Sequence, residues 1–286
     1  MNRKTVLSVS SLLSLPLLLA ACGSTASSEP ANAKPATPQA AVEAAYHQAV
    51  TSPNSYHLTS TVTTMHNGAL MQTTTISGNV YDSLKPNGSY GALTVATVIP
   101  GQSNEGSMSE IIDNGNLYIN ATGFRFNGVR KIDGWVSIPI AKYHSDLNNN
   151  TKSSFFPLVS IHQSELLGSL LKSGKFVSAG TTTLAGRKVD SYKLTLTTTQ
   201  FAHAAYGTMA KGIVRTIEAF SVKAPITFTV DVGSGNRVAF IGTTFPATIF
   251  KIPVTLTINQ QCTDYGVKFS VSPPKSAKPV TSLSVL

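Results

Sequence analysis

The sequence predicts an α+β fold: a large curved antiparallel sheet, an incompletely closed half-barrel, with about three helices against its concave apolar face. Period-two alternation dominates the body of the chain, and that is the mark of strands with one buried face. Short turns rich in Gly and Asn join the alternating segments, which favours antiparallel neighbours. The third observation is a magnitude. About twelve strand candidates at ~4.8 Å spacing make a sheet nearly 58 Å wide. Three helices of ~10 Å each cover about half of it. An apolar face of that width cannot stay in water, so the sheet must curl around its helices.

The strands are read in detail as follows. In ITFTVDV, Ile226, Phe228, Val230 and Val232 point one way while Thr227, Thr229 and Asp231 point the other. Gly233-Ser234-Gly235-Asn236 is a turn, after which Val238 and Phe240 are expected to resume the apolar face. Val254, Leu256 and Ile258 alternate with threonines, and Tyr192, Leu194 and Leu196 alternate with Ser191, Lys193 and Thr195. Leu117, Ile119 and Ala121 do the same after the Asp113-Asn114-Gly115-Asn116 turn, and Val267, Phe269 and Val271 alternate with Lys268 and Ser270 as a further strand candidate. The Thr-rich stretches around 56–64, 71–81 and 90–98 alternate less cleanly.

Three segments read as helices. Thr37 offers an N-cap with Pro38 in the first turn, and Val42, Ala45, Tyr46, Ala49 and Val50 keep helical spacing until Pro53. Ser160 or Ser164 can cap a helix bearing Leu166, Leu167, Leu170 and Leu171, ended near Gly174. Thr199 precedes a longer stripe of Phe201, Ala205, Met209, Ile213, Ile217 and Phe220, weakened by Gly207 and Gly212.

The N-terminus says where the protein works. Arg3 and Lys4 precede an apolar run from Val6 to Ala21, too short to span a membrane and shaped as a signal peptide. Residues 1–21 are therefore expected to be removed. Residues 23–37 are small, polar and punctuated by proline, so 22–37 reads as a tether with an r.m.s. span of roughly 20 Å. Residues 38–272 form the domain, about 235 residues with room for a real core. Residues 273–286 read as a disordered tail.

The formal net charge is +9, with 22 basic and 13 acidic residues. The basic residues are scattered rather than gathered beside aromatic platforms, so a nucleic-acid partner is not expected. Attraction to an anionic membrane surface and simple solubility both use such a charge. Cys22 and Cys262 are the only cysteines. With Cys22 used at the N-terminus no internal disulfide is available, and Cys262 reads as a plain small residue, an intermolecular bridge being the alternative.

Several motifs then carry a resemblance. Leu19-Ala20-Ala21-Cys22 resembles the lipobox of bacterial lipoproteins, in which the cysteine receives acyl chains and becomes the new N-terminus. Ordinary cleavage nearby, after Ala26, is the alternative. Asn114–Ile119, Asp133-Gly134-Trp135-Val136, the 166–171 helix, 185–192, Val230-Asp231 with Asn236–Val238, and Asp264–Val267 running into Pro273 follow in order. Together they resemble the LppX/LprG-type lipoproteins and, more distantly, the LolA carrier. The resemblance implies an extracytoplasmic, membrane-anchored protein that binds and transports lipids in an apolar cavity between sheet and helices. The lining residues expected are Leu166, Leu170, Ile213, Ile217, Phe228, Val230, Val238 and Phe240; the alternative is that they form a filled core. The chain departs from the family in a polar loop around 144–154 and in its Thr-rich early strands.

An enzyme needs a constellation that the sequence does not offer. It has no G-x-S-x-G elbow, no H-E-x-x-H and no phosphate-binding Gly-Lys loop. The six histidines make no i, i+4 pair on a helix, so no metal is expected, and no cofactor is implied. Asp113, Asp133, Asp190 and Asp231 fall at turns or outward strand positions, where carboxylates stay solvated. The partners expected are the cell membrane, through acyl chains on Cys22, and an apolar lipid, bound by a monomer. A membrane transporter partner is left open. The competing reading is an envelope sensor or surface interaction protein with no small ligand. A degenerate hydrolase, which would need a Ser–His contact in a cleft, is a third.

Overall fold

The computed structural model describes residues 35, 37–52, 54–83, 88–101, 106–120, 134–149, 163–206, 210–211, 214, 217–218, 222, 224–249 and 251–281. Its contacts divide the chain into Met1–Ala33 and Lys34–Leu286. Every described element lies in the second unit, which is therefore expected to fold when expressed alone. The signal peptide, Cys22 and most of the tether lie outside the described residues.

A single sheet organises this unit. Its strands in chain order are β1 (Asn54–His66), β2 (Ala69–Asp82), β3 (Tyr90–Val98), β4 (Gly106–Asp113), β5 (Asn116–Asn120) and β6 (Trp135–Pro139). They continue as β7 (Val177–Leu184), β8 (Arg187–Leu196), β9 (Ile226–Val232), β10 (Val238–Ile249), β11 (Ile252–Thr263) and β12 (Lys278–Pro279). The spatial order is β12-β6-β5-β4-β3-β2-β1-β11-β10-β9-β8-β7. All pairs are antiparallel except β12 with β6, and β7 and β12 end the sheet without meeting, so the barrel is open. Four helices accompany it: α1 (Pro38–Thr51), α2 (Ile140–Asn149), α3 (Gln163–Ser173) and α4 (Thr198–Ala204). The expected half-barrel is the fold observed.

Local chemistry accounts for the elements. Asn67-Gly68 and Asn114-Gly115 have positive φ at both positions, the geometry of two-residue hairpins whose twist matches the strands they join. The Thr-rich early strands find their use in side-chain pairs across β1 and β2. Thr59 meets Ser77 at 3.4 Å, Thr63 meets Thr73 at 3.4 Å, and His57 bonds Asn79 and Ser77 at 3.0 Å each. Such pairs stabilise a sheet by a few tenths of a kcal/mol each, to about 1. Thr37 caps α1, its hydroxyl accepting from Ala40 N at 3.1 Å, and the helix ends before Pro53 as expected.

Three expectations need correction. The polar stretch expected as a loop from 144 contains most of α2. Among its described side chains Tyr143 is buried and Ile140 packs against the same cluster; Ile140, Tyr143 and Leu147 keep helical spacing, a signal hidden among polar residues. The long helix expected after Thr199 breaks early. Thr197 and Gln200 form a capping box, but Ala205 is extended at φ −66°, ψ 123°, and helical residues resume at Ala210. The tail expected to be disordered from Pro273 is ordered through Thr281. Ala277 N donates to Pro274 O at 3.1 Å, Lys278 and Pro279 pair with Val136 and Ser137, and Val280 N donates to Ser137 O at 2.8 Å. Edge strand β6 offers unpaired backbone groups, and those groups hold the tail.

The helices share one face of the sheet, the inner face. On it, α1, α3 and α4 pack over β8–β11 in one buried cluster. A second cluster covers β1–β6, with Tyr143 of α2 among it. Gly78 lies at the point where β2 and β3 come closest: a Cβ there would run into the Ala92 carbonyl and stand 2.9 Å from Leu93 Cα. Because backbone rather than a movable side chain blocks it, Gly78→Ala is expected to cost about 2 kcal/mol or more. The check is urea unfolding of the Lys34–Leu286 unit. An unchanged midpoint would show that the strands part freely.

Candidate functional site: the inner face of the open sheet

Six of the eight residues expected to line a cavity come together. Leu166 and Leu170 of α3, Phe228 and Val230 of β9, Val238 of β10 and Ile217 belong to one buried cluster. Phe228 sits between Leu194 and Thr243 on neighbouring strands, and its ring meets that of Phe201 on α4 at 5.0 Å. These side chains form part of the buried core of this half of the inner face. Ile213 lies outside the described residues.

Phe240 is on the other face. Val238 pairs with Val232 and Phe240 with Asp231, so Ala239 is an extra residue that shifts the register. A bulge of this kind inverts the alternation beyond it. Ile241, Phe245 and Ala247 therefore enter the core, while Phe240 lies half-buried over Gly242. Asp231, its outer-face neighbour, is buried rather than solvated as expected. Desolvation raises its carboxyl above the ordinary value, and a hydrogen bond with Ser191 opposes the shift.

An open cleft of about 550 Å³ adjoins the filled cluster. Thr198, Thr199, Ala202 and His203 of α4 form one side, and Val214, Ile217, Glu218 and Val222 the other. Ile217 belongs both to the buried cluster and to this cleft. Ala202, Val214, Ile217 and Val222 give it an apolar wall, with polar groups at the edges. A volume of this size holds a small-molecule ligand.

Two buried polar side chains on the inner face were missed in the sequence. Glu110 on β4 stands between Leu93 and Ile119, in register with them, and is only 1% exposed. Desolvation pushes its carboxyl from 4.5 up to about 8, and its Oε2 has no hydrogen-bond partner. The group is neutral at pH 7 and can donate one hydrogen bond. Tyr143, close by on α2, is raised by its own burial and then by the charge of Glu110. Gln260 on β11, between Ser60 and Ile241, is likewise buried with Oε1 unpartnered. A signal for both was present: Met108, Glu110, Ile112 and Ile258, Gln260, Cys262 are period-two triplets with a polar residue in the apolar phase. Cys262 is a buried thiol of β11 rather than part of a connection.

Among the described residues, no three of His, Cys, Asp and Glu converge as a metal site, and no helix is long and apolar enough to cross a membrane. No protein-family model matches the chain, and no curated protein matches it. Among solved structures the chain is similar to LprF from Mycobacterium bovis, at 11% identity over 82% of this chain and 96% of that one, with TM-score 0.45. It is similar to the Mycobacterium tuberculosis lipoprotein LppX at 12% identity, over 82% and 100% of the two chains, with TM-score 0.43. A LolA superfamily protein from Nitrosomonas europaea matches at 8% identity, over 82% and 95%, with TM-score 0.28. The chain resembles the LppX-type lipoproteins and, more distantly, LolA in fold.

The raised Glu110 carboxyl has a consequence for stability. Unfolding exposes a group that titrates near 4.5, whereas the folded group titrates near 8. The folded state therefore holds the proton longer, and its stability is full below pH ~4.5 and declines as pH rises through ~8. Glu110→Gln is expected to remove that decline and to gain on the order of 4 kcal/mol at alkaline pH. Thermal midpoints of both forms from about pH 5 to 9 measure it. Parallel curves would place the carboxyl in contact with water.

Proposed function

We propose that this chain is a membrane-anchored, extracytoplasmic lipoprotein that binds acyl-chain ligands and carries them without catalysis. The observation that carries the reading is the cleft of about 550 Å³ beside α4, whose Ile217 wall continues into the buried core of an open, one-sided sheet. Burial of apolar ligand surface there yields about 25 cal/mol per Å² before the cost of association. Anchoring falls to Cys22, where two or more acyl chains give stable attachment while one alone gives only marginal binding. Neither a cofactor nor a metal enters.

The test is native mass spectrometry of the Lys34–Leu286 unit purified from a lipid-rich bacterial host, followed by organic extraction. A stoichiometric lipid mass is expected, reduced when Ala202→Trp fills the cleft. A second reading has one observation in its favour: Leu166, Leu170, Phe228 and Val230 are each almost wholly buried in one cluster, as in a filled core. It describes an envelope sensor or interaction lipoprotein with no small ligand. A bare protein mass, unchanged after incubation with host lipids, would select it.

For the anchor, Cys22→Ala in the full chain is expected to abolish incorporation of labelled fatty acid. Retained label would remove Cys22 from the account.

A further inference from the structure

Four of the five exposed large apolar side chains among the described residues fall at one place in the sheet, Val177 on β7 being the exception. Leu70 is 42% exposed, Met71 38%, Val98 43% and Ile252 40%. The register places all four at one end of neighbouring strands. His66 and Ala69 flank the β1–β2 turn, Ile249 and Ile252 flank the β10–β11 turn, and Met65 pairs with both Leu70 and Thr255. Thr73 pairs with Val98, which sets the end of β3 beside them. In the sheet these strands run β3-β2-β1-β11-β10, so the four residues lie together along one end of it. Pro100 and Pro253 add further exposed apolar surface at the same end.

Charge at this rim has one sign. Among its described residues, 66–72, 98–101, 249 and 251–253, there is no acid, and Lys251 is an exposed cation at the tip of the β10–β11 turn. The chain as a whole carries +9. Clustered apolar side chains beside a lysine, on a chain of net positive charge, suit an anionic lipid interface.

We propose that this rim docks the folded unit onto an anionic lipid bilayer, Leu70, Met71, Val98 and Ile252 entering the headgroup region with Lys251 at the phosphates. The partner is a lipid surface rather than a protein. The chain ahead of α1 supplies the reason that so small a patch suffices. A tether of about fifteen residues reaches only ~20 Å from its anchor, which holds the unit at high effective concentration beside the bilayer. That step rests on the anchored reading above; the rim does not, and nor does it depend on any cargo in the cleft.

The experiment uses the Lys34–Leu286 unit, which has no anchor, and vesicles of phosphatidylcholine with or without phosphatidylglycerol. Co-sedimentation is read for the unaltered unit, for Leu70→Glu with Ile252→Glu, and for Val177→Glu. Val177, exposed on β7, is an apolar residue away from the rim. Circular dichroism verifies that each variant is folded. The expected result is binding that rises with phosphatidylglycerol, falls about tenfold or more in the rim double variant and is unchanged in Val177→Glu. Substituting Leu70→Gln with Ile252→Gln, which adds no charge, is expected to lower binding in the same direction. No binding by the unaltered unit, equal binding by the rim variants, or a rim-dependent dimer in sedimentation analysis without vesicles would each overturn the proposal. A carrier that holds lipid in its cleft yet fails this test loses the rim and keeps its function.

Discussion

Everything in this fold follows from a sheet of twelve strands with apolar side chains on one face. Such a face is too wide for the helices available to cover as a flat layer, so it must bend around them. The two halves solve the problem differently. Over β8–β11 three helices fill the inner face with large side chains, among them Phe201, Phe228 and Phe245. Burial of each is worth roughly 1.5–3 kcal/mol. Over β1–β6 the strands carry smaller apolar residues interrupted by Ser60, Thr64 and Thr74, and the described cover is α2 and the tail residue Val280. Buried polar groups remain in both halves, Glu110 on β4 and Gln260 on β11 among them.

Glu110 illustrates what that division costs. A carboxyl in an apolar strand phase survives by keeping its proton, because desolvation penalises the ion far more than the acid. A leucine at the same position would pack as well and titrate nowhere. The acid therefore stands where simple core packing would not put it, and Gln260 repeats the pattern on a strand four places away in the sheet. Both point their polar atoms to the face that the helices cover. That is consistent with an inner surface meant to meet hydrogen-bonding groups as well as hydrocarbon.

Much of this architecture was legible because alternation is a strong signal where one face is buried. ITFTVDV, the strand bearing Leu194, and the Asn114-Gly115 hairpin all read correctly from side-chain period and turn chemistry. The failures have specific physical causes. Phe240 was assigned to the core by continuing the alternation of Val238, but a one-residue bulge at Ala239 costs the backbone little and leaves no composition signature. The helix α2 hides because its apolar spacing, Ile140, Tyr143 and Leu147, is short and set among Lys142, His144, Ser145, Asp146 and three asparagines, which read as a polar loop. The tail looked unstructured because Pro273, Pro274 and Pro279 cannot donate to a ladder; instead Val280 donates, and the partner carbonyl belongs to Ser137. The candidate site was half legible. Sequence located the apolar residues that meet, but only packing could show that most of them are buried in the core and that Ile217 also faces the cleft beside α4.

The rim and the cleft raise the same question of how an apolar surface stays exposed in a protein that folds to bury apolar surface. At a strand end the constraint is weak: Leu70, Met71 and Ile252 lie next to the turns at Asn67-Gly68 and Lys251, and each keeps about two fifths of its surface in water. Replacing them with polar residues would cost the fold nothing and would lower the risk of aggregation, which exposed strand ends invite. The opposite end of the sheet takes the other course. There Tyr81 stacks on Tyr90 at 4.8 Å, Tyr90 meets Phe269 at 5.3 Å, and Tyr265 donates to Val238 O at 2.6 Å. One end of the half-barrel is thus closed by aromatic rings and the chain's own tail, and the other is left apolar and uncovered. A sheet with such unequal ends has a direction, and direction would matter to a unit anchored as proposed above.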